Sequence, residues 1–130
     1  MRYLTHAMKC CKLQHSEGRF WALEHPQTVS SWGQAVTQDV LSLPGAQTMD
    51  FDQCMLGLKS PYGTPMRKRT RIMTNCPQLV EAFRGIKCDR NHIHKAIEGS
   101  EGGKRLSTHA QVYPDGMVKL IAGVVMATTR

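Results

Sequence analysis

Apolar side chains recur at helical spacing from the start of the chain. Leu4, Ala7, Met8 and Cys11 predict an amphipathic helix over residues 3–14, with Arg2, Lys9 and Lys12 elsewhere on its surface and Gly18 ending the segment. Residues 19–24, RFWALE, are aromatic and apolar and predict a short strand. It runs into Glu24-His25-Pro26, where proline cannot extend a ladder. Trp32, Val36 and Val40, with Ala35 beside them, predict a second helix. It starts at Ser30 or Ser31 and reaches about Leu43, where Pro44-Gly45 stops it. Residues 47–51 predict a second strand ending at Asp50-Phe51-Asp52-Gln53-Cys54, with 55–58 extending it or starting another. The stretch KSPYGTP, 59–65, is a turn by composition. Thr70, Ile72 and Thr74 then alternate as in a strand. A turn between two such segments predicts an antiparallel hairpin over about residues 54–74. Asn75 is placed to cap a helix with Pro77 in its first turn, and Leu79, Val80 and Phe83 on one face. Residues 99–108 are Gly-rich and polar and predict a mobile loop. Residues 110–113 are short and extended. Pro114 opens a final helix to about Thr128, whose apolar face is Met117, Leu120, Ile121, Val124 and Val125.

This order predicts a small three-layer α/β sandwich, a mixed sheet with an antiparallel hairpin and helices on its faces. The 130 residues suffice for one domain, 1–130, with a core that is mostly aliphatic and rich in Met, because aromatics make up 6%. A hydrophobic content of 41% argues against general disorder. No apolar run is long enough to span a bilayer, and the N-terminal stretch lacks the apolar core and cleavage site of a secretory signal. Five cysteines, two of them adjacent at Cys10-Cys11, suit free or metal-bound thiols in a reducing compartment. The expected location is therefore intracellular, nuclear or cytoplasmic. The net charge of +7 favours an anionic partner, either nucleic acid or an acidic protein surface.

Three sets of residues carry candidate chemistry. Cys88, His92 and His94 place a thiol and two imidazoles within seven residues, and Cys76 lies one helix length upstream. Together they can form a tetrahedral sulfur–nitrogen site for zinc, with Cys54 and His25 as further candidate ligands from strand ends. The alternative is that Cys76 packs in the core and the histidines are solvated. Arg67, Lys68, Arg69 and Arg71 form a basic run in which the three arginines share one face of a strand, suited to successive phosphates of nucleic acid. Lys104 and Arg105 add to it; the alternative is a charged edge strand that resists sheet-to-sheet association. Glu24 and His25, with Asp52, form a candidate catalytic acid–base set at strand ends, against a purely local role in the loop. The segment 99–103 lacks the Gly-Lys-Ser/Thr of a phosphate loop.

The series GRFWALEHP, SSW, FDQCMLGL, RKRTRIMTN, CDRNHIH and AQVYP, spread over about residues 18–125, resembles a domain of retroelement-type polyproteins of fungi and algae. The same arrangement looks like the C-terminal half of a Rossmann-type DNA methyltransferase, a likeness that implies Glu24, His25 and Pro26 in the catalytic loop. The chain departs from that pattern: no Gly-rich strand-turn-helix for S-adenosylmethionine precedes the motif, and Cys76-Pro77 reverses the Pro-Cys order of the nucleophile. The first expectation is therefore a zinc-supported domain of retroelement type that binds nucleic acid. The second is a methyltransferase-like enzyme or enzyme remnant, and the third an accessory subunit of a larger assembly.

Overall fold

Leu4, Met8 and Cys11, spaced over successive turns of α1 (Arg2–Ser16), are buried, whereas the neighbouring Cys10 is exposed. Burial at this period is what fixes the helix, since an isolated helix of this length is marginal in water. The computed structural model describes residues 2–26 and 30–128. In chain order it continues with β1 (Ala22–Pro26), a 3-10 turn (Ser30–Gly33), α2 (Ala35–Leu41), β2 (Gln47–Asp52), a second 3-10 turn (Gln53–Leu56), β3 (Arg69–Thr74) and α3 (Pro77–Phe83). Then follow β4 (Ser100–Glu101), β5 (Lys104–Arg105), α4 (Leu106–His109) and α5 (Asp115–Thr128). The protein is thus α/β, with a three-stranded sheet of order β1-β3-β2 and an antiparallel hairpin. Among the described residues no helix is long and apolar enough to cross a membrane.

The chain gathers into two compact units, residues 1–50 with 70–84, and residues 51–69 with 85–130. In the first, Leu4, Met8 and Cys11 pack with Trp21, Trp32, Val40 and Met73, and Val36, Leu41 and Leu43 close over them. Strand β1 pairs antiparallel with β3 from Ala22 opposite Thr74 to Pro26 opposite Thr70. It begins three residues later than its sequence suggests and takes in Glu24, His25 and Pro26. Proline is accommodated because β1 is an edge strand and Pro26 its last residue. Asn75 does not cap α3, whose N-cap is Cys76. Its side chain instead accepts from Trp21 N at 2.8 Å and donates to the Arg19 carbonyl at 3.0 Å, tying down the approach to β1. Thr74 Oγ1 donates to the Trp21 carbonyl at 2.6 Å and accepts from Cys76 N at 3.0 Å.

In the second unit Leu58, Met66, Leu106 and Ala110 form the buried cluster, with Ile97 against it. The hairpin expected over 54–74 does not form there. Residues 53–56 wind into the 3-10 turn, closed by Gly57 in the left-handed region (φ 95°) with its N–H on the Gln53 carbonyl. Only one antiparallel bridge, Lys59 to Pro65, remains of that ladder among the described residues. The hairpin lies instead in the Gly-rich stretch expected to be a mobile loop. Gly102 and Gly103 both have positive φ (57° and 76°), the requirement of a two-residue type I′ turn, and Glu101 pairs with Lys104 across it.

Gly116, in the first turn of α5, abuts the Leu56 carbonyl so closely that a β-carbon there would lie 2.5 Å from its oxygen. Gly116→Ala should therefore destabilise the protein by about 1–3 kcal/mol through overpacking against backbone, read as a lower urea midpoint. An unchanged midpoint would show that this approach is not close in solution.

Candidate metal centre

Among the described residues, Cys54, Cys88, His92 and His94 form a group whose ligand atoms all lie within 4.8 Å of one another. All four belong to the second unit. Cys54 is buried in the 3-10 turn after β2. The other three come from a stretch without helix or strand, 85–95, which is pinned at both ends. Near its start, Asp52 N donates to the Ile86 carbonyl (3.0 Å) and Cys88 N donates to Asp52 Oδ2 (2.8 Å). At its end, Lys95 N donates to the Pro65 carbonyl (2.8 Å).

Between these anchors the chain turns tightly. Asp89 Oδ1 accepts from Asn91 N at 2.9 Å, an Asx turn, and Arg90 adopts φ 61°, a conformation that non-glycine residues seldom take. Arg90 N points to Cys88 Sγ at 3.4 Å. The turn brings His92 Nε2 to 3.7 Å and His94 Nε2 to 3.5 Å from the same sulfur, with the two rings nearly perpendicular and 4.6 Å between centroids. On its far side, His92 Nδ1 lies 3.3 Å from Asp89 Oδ1. That carboxylate favours the Nδ1–H tautomer and leaves Nε2, the atom facing the group, as the free lone pair.

Burial pushes the Cys54 thiol up to about 12, helped by its hydrogen bond with Cys88 and by the charges of Cys88 and Asp52, with Arg67 opposing. Left to itself Cys54 stays protonated. A cation inverts this balance, since a coordinating thiol gives up its proton outright. The donor set, two sulfurs and two imidazoles, can hold a metal ion.

Sequence reasoning found Cys88, His92 and His94 but gave the main fourth position to Cys76. The structure replaces Cys76 with Cys54, which had ranked only as a further candidate. Cys76 is buried at the start of α3, in the first unit, with Sγ 3.4 Å from Gln78 Oε1. His25, the other candidate ligand, is on β1 opposite Arg71 with its ring 6.1 Å from that of Trp32, and is not in the group either.

The basic run faces carboxylates. Arg69 Nε lies 3.4 Å and Arg67 Nε 3.9 Å from Asp52 Oδ1, and Lys68 Nζ donates to the Ala110 carbonyl at 2.9 Å. Arg71 is bidentate on Asp50 (2.7 and 3.0 Å) and sits 5.4 Å above the Trp32 ring. Hydrogen bonding to Asp50 raises its pKa further against a smaller effect of burial. The side chains of Arg67 and Arg69 remain 40% and 45% exposed. The candidate acid–base residues Glu24 and His25 are neighbours on β1, opposite Ile72 and Arg71 of β3, on a strand whose successive side chains point to opposite faces. Asp52, their third candidate member, is engaged by Arg69 and by Cys88 N.

Native mass spectrometry after incubation with zinc should show one bound ion in the parent chain and in Cys76→Ser, and none in Cys54→Ser. Loss of the ion from Cys76→Ser with retention in Cys54→Ser would restore the ligand set suggested by the sequence. No protein-family model matches the chain, and no curated protein and no solved structure gives a significant match to it.

Proposed function

We propose that this chain is a zinc-supported, nucleic-acid-binding domain of the kind found in retroelement polyproteins. The observation that carries the metal half is the spacing of the donors around Cys88. Zinc–sulfur and zinc–nitrogen bonds of about 2.3 and 2.0–2.1 Å, set at the tetrahedral angle, separate the two donor atoms by roughly 3.6 Å. The sulfur-to-nitrogen distances are 3.7 Å to His92 and 3.5 Å to His94. Two thiolates and two imidazoles are a usual set for structural zinc, and the Asp89 carboxylate behind His92 supplies the outer-shell partner that such histidines favour. Five free thiols suit a reducing, intracellular compartment in which such a site persists.

The nucleic-acid half is supported by where the charge lies. The unit that holds the Cys/His group has 11 Lys and Arg against 5 Asp and Glu, a formal charge of +6 out of the chain's +7. Arg67 and Arg69 share a single carboxylate, so the trio keeps one net positive charge. Lys87, Arg90 and Lys95 in the metal-centre loop are exposed as well. Such a surface attracts phosphates with little regard to sequence.

The zinc-loaded protein should bind labelled duplex DNA or RNA with an affinity that falls steeply with salt. Replacing Arg67 and Arg69 together by Gln should lower the slope of log K against log salt by about 1.8 on duplex DNA, the loss of two phosphate contacts. Fluorescence anisotropy over a salt series measures this. No binding to duplex or single strands at low salt would overturn the nucleic-acid reading, and salt-sensitive binding to an acidic polypeptide alone would assign the basic surface to a protein partner.

A further inference from the structure

Asp52 is the only buried charged side chain among the described residues, 1% exposed at the end of β2. A carboxylate in such a place is costly unless its lone pairs are taken up. Asp52 is engaged on both sides. Oδ2 accepts from Cys88 N at 2.8 Å, and Oδ1 faces Arg69 Nε at 3.4 Å and Arg67 Nε at 3.9 Å. The residue also grips the metal-centre loop through its backbone, donating to the Ile86 carbonyl at 3.0 Å. Its other link is covalent, since Cys54 follows two residues later. Asp52 thus sets the backbone of both cysteines of the group, one by hydrogen bond and one by chain connection, while its second oxygen accepts from Arg69 and lies within ion-pair range of Arg67.

We infer that Asp52 is the positioning residue of the metal centre and ties the arrangement of Arg67 and Arg69 to whether the centre is filled. This rests on the metal reading above. Filling the centre fixes Cys54 and Cys88. With both fixed, the Asp52 carboxylate is held from two directions and presents Oδ1 to the guanidinium groups. Emptying it frees the 85–95 loop to move the Cys88 N–H, and the carboxylate loses the bond that orients it. The coupling is reciprocal by thermodynamic necessity, so a change at Asp52 appears in the affinity for the ion.

The experiment measures zinc affinity by competition with a chromophoric chelator for the parent chain, Asp52→Ala and Asp52→Asn. It is read beside the 15N–1H signal of the Arg69 Nε–H group, which donates to Asp52 Oδ1. Asp52→Ala removes the acceptor for Cys88 N–H and should weaken zinc binding by about 10–100-fold, the usual effect of losing an outer-shell partner. Asp52→Asn keeps a carbonyl oxygen for that N–H and should recover most of the affinity. It carries no charge, so the Arg69 Nε–H signal should exchange rapidly with solvent even in its zinc-loaded form. In the parent chain that signal should be protected with zinc and lose protection when it is chelated. A parent chain that takes up no zinc overturns the metal reading and this inference with it. A parent chain that binds zinc while both variants match its affinity overturns the inference alone, as does an Arg69 signal indifferent to zinc.

Discussion

Two thiols and two imidazoles are crowded within 4.8 Å, an arrangement that could hold a metal ion. The buried Cys54 thiol is held in its protonated form, and His92 and His94 turn their Nε2 atoms toward one sulfur. A single cation could be held by the whole set. The loop from 85 to 95 has neither helix nor strand to hold it. Its anchors are three hydrogen bonds to Asp52 and Pro65, and the ligands themselves. The first unit has the packed core of Leu4, Met8, Trp21, Trp32 and Met73, and the second the cluster of Leu58, Met66, Leu106 and Ala110; the 85–95 loop would draw on a bound ion besides.

Asp52 extends this arrangement to the surface. It is the point at which the loop, the 3-10 turn carrying Cys54 and the two arginines meet. The basic run is therefore an ordered feature, with each arginine set against a carboxylate: Arg67 and Arg69 against Asp52, and Arg71 against Asp50. The shared carboxylate leaves Arg67 and Arg69 with one net positive charge.

Helices α1 and α3 were legible in the sequence because each declares its buried face by period: Leu4, Met8 and Cys11 in α1, and Leu79 with Phe83 in α3, are buried as the spacing requires, whereas of the apolar face expected for α5 only Met117 is buried and Val125 is exposed. The strand β3 was legible from its β-branched alternation. What failed were choices settled by distant partners. Asn75 has the chemistry of a cap, yet the backbone of residues 19–21 claims its amide. Residues 54–56 are apolar enough for a strand, but the left-handed Gly57 closes them into a 3-10 turn. The Gly102-Gly103 pair is itself a hairpin signal, set within a stretch whose composition is that of a loop. In the metal centre, the short-range members Cys88, His92 and His94 could be read from spacing alone. The fourth could not, because Cys54 and Cys76 each follow a predicted strand, and only the paths of the 85–95 loop and of the turn at 53–56 decide between them.

The central claim is that one ion is held by two sulfurs and two nitrogens. X-ray absorption spectroscopy at the zinc edge, on the zinc-loaded protein, tests it most directly. The account predicts a first shell of two sulfurs near 2.3 Å and two nitrogens at about 2.0–2.1 Å, with the outer-ring scattering of imidazole. A shell of oxygen and nitrogen only, or one with three sulfurs, would contradict it.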